Sequence, residues 1–343
     1  MLKKDEVIFL LGAGASFDAG IPVSKKMIED LERLLNKEPD WTKFQKLYFL
    51  IRSAFLYSNG IHGGFSSDGF NIEQLVNILD ELKKSDKHPL FPFIGSWTPM
   101  LQGIAENNFA ILGEFREKIV SELIRWVDLE HLEDANYYKN FEQFASELGF
   151  PIRIFSLNYD MCIEKSCQDV ERGFDENKIW DWRIFNDQAQ VSDKNIYLYK
   201  LHGSIDWYRR DDKRLSYRER ANKPKDLEII FGTTYKLQYI DPFLFFAYEF
   251  RKWTLSDSRL IACIGYSFSD EHINGILKQA LENNSNSFLY IVDPSIKAEE
   301  VKNRLNIKDA KRFIIENCGA KDFMENLSVD KINQALPKTE VPF

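Results

Sequence analysis

Apolar residues along this chain fall into two patterns. Short unbroken runs rich in Ile, Val, Phe and Tyr occur at Val7–Leu11, Ile152–Leu157, Ile196–Leu201, Leu227–Phe231, Leu260–Ile264, Phe288–Val292 and Phe313–Ile315. Continuous apolarity, rather than alternation, marks strands covered on both faces, as in a parallel sheet. Elsewhere the apolar positions recur at helical spacing. Asp270–Asn283 places Ile273, Ile276, Leu277, Ala280 and Leu281 on one face. Strands followed by such helices predict an α/β fold, a Rossmann-like doubly wound parallel sheet.

The stretch between the first two strands breaks that alternation. Ser24–Leu35 carries Met27, Ile28, Leu31, Leu34 and Leu35 on one face, with Ser24 as the expected N-cap. Asn71–Leu82 repeats the pattern with Ile72, Leu75, Val76, Leu79 and Leu82, and Asn71 with Gln74 has the form of a capping pair. Phe109–Val127 and Tyr137–Leu148 also read as helices. A large helical insertion after the first βα unit is therefore expected. The division that follows is a discontinuous Rossmann-like domain over residues 1–30 and 150–325, a helical subdomain over 31–149 and a tail over 326–343. The glycine-rich Gly60–Phe70 reads as a flexible connector or, alternatively, a lid over a ligand. Arg209–Lys225 reads as a solvated loop, and the stretch after Val329 as an appended surface segment.

Composition narrows the function. A net charge of −8 argues against a broad nucleic-acid-binding face. The 27 Phe suit a large core. The four cysteines, Cys162, Cys167, Cys263 and Cys318, form no C-x-x-C pair, so neither a zinc ribbon nor a disulfide is implied. The first residues lack the apolar core of a signal peptide, and no apolar run approaches the ~20 residues that cross a bilayer. The expectation is a soluble, cytoplasmic protein without membrane contact.

The first strand ends in Gly12-Ala13-Gly14-Ala15-Ser16, with Gly20-Ile21-Pro22 just beyond. Glycines between a buried strand and a helix let the backbone approach a ligand closely, and a helix N-terminus attracts phosphate. The G-x-G-x-x-G dinucleotide fingerprint nevertheless fails: Phe17 holds the third glycine's place. The acidic residue expected ~20 positions on is missing as well, which argues against an NAD dehydrogenase.

The longer string resembles the opening loop of the sirtuin family. Four later blocks resemble that family in the same order: Phe155–Asp160 (FSLNYD), Tyr199–Ser204 (YKLHGS), Ile264–Asp270 (IGYSFSD) and Ile291–Pro294 (IVDP). Each falls where a strand ends. The chain departs from protein-deacylating sirtuins at Val23-Ser24-Lys25 and in having no cysteine within Gly203–Glu228, where they carry a zinc module. The closer likeness is to divergent, zinc-free NAD+ hydrolases of prokaryotic anti-phage defence, which share a helix like Phe70–Leu82.

The resemblance implies NAD+ as substrate and no metal. It places Gly12, Ala13, Gly14 and Ser16 around the pyrophosphate and counts Gly20, Ile21 and Pro22 among the cofactor-binding residues. Gly265, Ser267 and Asp293 fall at the adenosine half, Asp270 among the cofactor-binding residues, and Asn158, Asp160 and His202 at the nicotinamide end. Plainer readings stand beside these. Asn158 and Asp160 suit a turn, His202 a satisfied core histidine, and Ser16, Ser267 and Asp270 helix caps. His62, His88, His131 and His272 lie outside the blocks with no ligand-like spacing. By the same resemblance the expected activity is NAD+ cleavage, with a protein deacylase, an ADP-ribosyltransferase or a non-catalytic NAD sensor as alternatives. A homo-oligomer is expected, with a HerA-type ATPase or a short Argonaute as the regulatory partner.

Overall fold

In the computed structural model, the residues described are 2–61, 63, 70–84, 98–105, 109–186, 194–221, 223, 226–231, 241–256 and 258–336. A seven-stranded sheet organises them. Its strands are β1 (Val7–Leu11), β2 (Ile152–Ser156), β3 (Val170–Glu171), β4 (Ile196–Lys200), β7 (Leu260–Ile264), β8 (Phe288–Val292) and β9 (Phe313–Glu316), in the order β3-β4-β2-β1-β7-β8-β9. Every adjacent pair is parallel. A separate hairpin joins β5 (Trp207–Arg209) to β6 (Leu215–Tyr217).

The unbroken apolar runs have the expected cause. In β1, Val7, Phe9 and Leu11 enter one hydrophobic core, while Ile8 and Leu10 enter the other. Successive side chains of a strand point to opposite faces, so a strand covered on both sides has no polar position. The second core is closed by the helices Phe243–Leu255, Glu271–Asn283 and Ala298–Leu305, through residues such as Phe246, Leu277 and Val301.

Between β1 and β2 the described chain is helical: Ser24–Lys37, Pro39–Thr42, Gln45–Ile61, Ile72–Lys84, Thr98–Ala105, Ala110–Val127, a 3-10 segment Leu132–Lys139, and Asn140–Leu148. Leu75, Leu79, Phe115, Ile119 and Leu123 are buried in the first core, which rests on the sheet through Phe9 and its edge contacts with Phe141 and Phe144. Asn71 and Gln74 form the predicted reciprocal cap, 2.9 Å from Gln74 N to Asn71 Oδ1 and 3.3 Å in return.

Several local expectations are corrected. Val23, extended at φ −73° and ψ 161°, is the N-cap of the first long helix, and Ser24 is already inside it. After β1 the chain forms a 3-10 helix, Ala13–Ala19, closed by Gly20 at φ 85°. Pro22, with no N–H and a fixed φ, disfavours helical continuation from Ile21. Leu227–Phe231 is not a sheet strand, because β3 already occupies the free side of β4. Ile229 instead bridges to Gly203, and Ile230 N donates to the His202 carbonyl at 2.9 Å. The supposed loop Arg209–Lys225 contains most of the hairpin. The described part of the stretch after Val329 is docked rather than appended: Ser328 caps helix Val329–Ala335, which buries Ile332. Gly60–Phe70 lies largely outside the described residues, as do His62 and His88.

Candidate functional site

Strand register builds the site. Leu11 pairs with both Ser156 and Ile264, Ser156 with Lys200, and Ile264 with Val292. Five carboxyl ends therefore lie level, and the next residues are Gly12, Leu157-Asn158, Leu201-His202, Gly265 and Asp293. The chain leaves β1 to one side for β2 and returns on the other for β7. A parallel sheet binds its ligand at such a switch point, beyond the carboxyl ends of its strands. A cavity of about 590 Å³ opens there. Of the residues singled out in the sequence, all line it except Ser16 and Gly20.

The glycines of the first loop are needed for close backbone packing. Gly12 N donates to the Ile264 carbonyl and Gly14 N to the Gly265 carbonyl, both at 3.0 Å. A Cβ on Gly12 would lie 2.5 Å from Gly265 O, and one on Gly14 2.8 Å from Gly265 Cα. At Gly265 itself φ is +60° and a Cβ would fall 2.2 Å from Ala15 N. The bare backbone of both loops forms one wall of the cavity, a surface suited to a phosphate-bearing ligand.

Ser16 acts from behind this wall. It is fully buried and holds three partners: Asp160 Oδ2 at 2.8 Å, Tyr138 Oη at 2.8 Å and Asn158 Nδ2 at 3.2 Å. Its proton goes to the carboxylate, so its lone pairs receive the phenol and the amide. Asn158 Nδ2 also donates to the Gly12 carbonyl at 2.9 Å. That acceptor fixes the orientation of the amide. Both amide hydrogens are engaged by protein, and Oδ1 is the atom Asn158 can offer to the cavity. Asp160 is tied down more firmly, its Oδ1 accepting from Cys162 N at 3.0 Å and its backbone carbonyl from the Lys200 ammonium.

His202 is buried, with Nε2 at 3.2 Å from Asp270 Oδ2. Asp270 Oδ1 accepts from His272 N at 3.0 Å and Ile273 N at 3.3 Å, capping the helix Glu271–Asn283. Asp270, expected among the cofactor-binding residues, is thus also a histidine-orienting carboxylate. With Nε2–H aimed at Asp270, Nδ1 is the nitrogen able to take a proton. At the far end of the cavity, Asp293 Oδ1 accepts from Ser295 N and Ile296 N at 2.8 Å each. Arg304 donates to the Ser267 carbonyl and, at 3.0 Å, to Ser269 Oγ.

Sequence reading missed a buried charge network beneath these turns. Lys200 Nζ lies 3.7 Å from Glu164 Oε1, Arg172 Nε lies 4.0 Å from the same oxygen, and Arg172 Nη2 reaches Asp206 Oδ2 at 2.5 Å. Burial pushes the Glu164 carboxyl above its usual range. Burial alone would lower Arg172, but Asp206 and Glu164 hold it up. A charged residue in the apolar run Ile196–Leu201, Lys200, was the available signal. Burial raises all four thiols, with Asp160 adding to the shift at Cys162, and Cys318 is pushed up to about 11 by burial and Glu316. Among the described residues no group of three His, Cys, Asp or Glu side chains gathers as a metal site, and no helix is long and apolar enough to cross a membrane.

Residues 152–313 match the profile of the SIR2-like domain. No curated protein matches the chain. Similar solved structures include a Sir2 homologue in complex with NAD, 13% identical, covering 96% of this chain and 90% of that one, with a TM-score of 0.49. Another is a mutant Sir2 homologue in complex with 2′-O-acetyl ADP ribose, 14% identical, covering 98% and 94%, with a TM-score of 0.46.

Proposed function

We propose that the chain is an NAD+ glycohydrolase, converting NAD+ and water to nicotinamide, ADP-ribose and a proton. The observation that carries this reading is convergence. The Gly12–Gly14 loop, the Asn158 amide and the Asp270-paired His202 imidazole, far apart in the chain, border one cavity at the switch point of the sheet. The SIR2-like match over residues 152–313 supports it.

The chemistry required is modest. Nicotinamide leaves as a neutral molecule, so no strong general acid is needed. What is needed is stabilisation of an oxocarbenium-like centre and a placed nucleophile, as in glycoside hydrolysis. Asn158 Oδ1, immobilised through Nδ2, accepts a hydrogen bond from water or a ribose hydroxyl and holds it in line; placement of this kind can contribute several kcal/mol. His202 takes the proton released as the C–O bond forms, and Asp270 steadies the resulting imidazolium. The bare glycine backbone receives the pyrophosphate, Asp293 the adenosine ribose, and the remaining lone pairs of Asp160 the carboxamide.

In the same reading the protein belongs to the zinc-free, defence-associated branch and depletes NAD+ on phage infection. It works as a homo-oligomer or under a separate partner, a HerA-type ATPase or a short Argonaute. The absence of cysteine within Gly203–Glu228, the departure at Val23-Ser24-Lys25 and the stretch Phe70–Leu82 support that placement.

Incubation of purified protein with NAD+, with and without an acetylated peptide, tests the reaction by chromatography of nicotinamide and ADP-ribose. Peptide-independent release, lost in Asn158→Ala and His202→Ala, is expected. Release only with peptide would reassign the chain as a deacylase, and saturable NAD+ binding without release, or neither binding nor release, would refute the reading.

A further inference from the structure

Tyr159 stands between Asn158 and Asp160, yet its side chain runs elsewhere. While its neighbours' side chains both reach Ser16, the Tyr159 hydroxyl donates to the Ile230 carbonyl at 2.9 Å. Ile230 N in turn donates to the His202 carbonyl at 2.9 Å. The Tyr159 carbonyl accepts from Ile205 N at 3.0 Å. Through side chain and backbone together, one residue of the Asn158 turn is pinned to both flanks of His202. Its ring is buried edge-on against Phe231 and lies 6.3 Å from the imidazole. A second acceptor meets the same hydroxyl: Glu73 Oε1 at 3.4 Å, from the first turn of helix Ile72–Lys84. That turn is held by the Asn71–Gln74 cap, and Glu73 and Tyr159 both border the cavity.

We propose that Tyr159 and Glu73 are positioning residues that set the spacing between Asn158 and His202, with Glu73 acting through the Tyr159 hydroxyl. This rests on the NAD+-cleaving reading and adds a consequence: turnover depends on the seating of helix Ile72–Lys84, which lies outside the sheet. The phenol has one proton for two acceptors. The carboxylate therefore draws the hydroxyl partly away from Ile230, and its removal lets the Asn158 turn shift toward Ile230 and out of the set spacing. Misplacement of a reacting group by ~1 Å is enough to lower a rate about a hundredfold.

The test is steady-state NAD+ cleavage by Tyr159→Phe, Glu73→Ala, Glu73→Gln and Tyr159→Phe/Glu73→Ala, with ADP-ribose affinity by calorimetry and urea midpoints as controls. Tyr159→Phe is expected to lower kcat on the order of 10- to 100-fold, leaving KM and ADP-ribose affinity within about threefold. Glu73→Ala should lower kcat roughly tenfold and Glu73→Gln, which keeps a hydrogen-bonding group, should restore most of it. The double variant should be no slower than Tyr159→Phe alone, because the two act in series. Multiplying losses, a loss carried by KM, or a Tyr159→Phe variant as fast as wild type would overturn the proposal while leaving cleavage intact. Wild-type protein that binds ADP-ribose but leaves NAD+ whole would instead refute the cleavage reading and this proposal with it.

Discussion

The Arg172–Asp206 contact allows the buried network to be tested quantitatively. Asp206 is fully buried and its Oδ2 lies 2.5 Å from Arg172 Nη2. At an effective dielectric of ~20, that separation corresponds to a gross attraction of about 7 kcal/mol. Asp206→Asn removes the charge but keeps an acceptor. Glu164 stays 4.0 Å from Arg172 Nε, and the guanidinium still lies 4.6 Å from the centre of the Tyr217 ring. Those remaining contacts reduce the net loss to about 3 kcal/mol, near the lower end of what breaking a buried pair costs. Arg172→Met leaves a buried carboxylate without its main partner and should cost about as much. The combined Arg172→Met/Asp206→Asn variant has no orphaned charge, so its cost should be close to that of one single variant. Urea unfolding at constant m measures all three. Two outcomes would refute the reasoning: losses that simply add, or an Asp206→Asn cost under ~1 kcal/mol, which would mean that the pair is solvated.

Other expectations follow from the same structure. Gly265→Ala should abolish NAD+ binding in calorimetry and destabilise by several kcal/mol, because its Cβ meets backbone at 2.2 Å; Gly20→Ala, with open space around it, should cost only about 1 kcal/mol. Asp270→Asn should keep the helix cap and change stability by less than ~0.5 kcal/mol, since Asn caps as well as Asp. It should nevertheless lower kcat at least ~10-fold through loss of the His202 partner; an unchanged kcat would separate Asp270 from the reaction. Glu164 has its carboxyl raised by burial above the ordinary 4.5. Its protonation therefore favours the folded state, a contribution fully present below that value and lost as pH rises through the raised one. Urea midpoints of Glu164→Gln relative to wild type should accordingly improve as pH increases from 4.5 upwards; a flat difference would contradict the shift.

By itself the sequence determined what depends on neighbours in the chain. Apolar runs such as Val7–Leu11 and Leu260–Ile264 announced doubly covered strands, because covering both faces leaves no polar position. The Asn71–Gln74 cap was equally legible, since both its hydrogen bonds close within three residues. The motif blocks could be read at strand ends for the same reason. What Ser16 does could not: its partners lie 122, 142 and 144 positions away. Its reading as a cap or a ligand contact was reasonable locally, and burial made it a hub instead. Nor could any local pattern show that Asp270 would both cap its helix and meet His202, or that Leu227–Phe231, apolar enough for a strand, would find its place beside β4 taken and cover the His202 turn. Local periodicity specifies which elements form and which side of each is apolar. Which turns meet is decided by strand register and by the order in which strands fill the sheet, and those arise only when the whole chain packs.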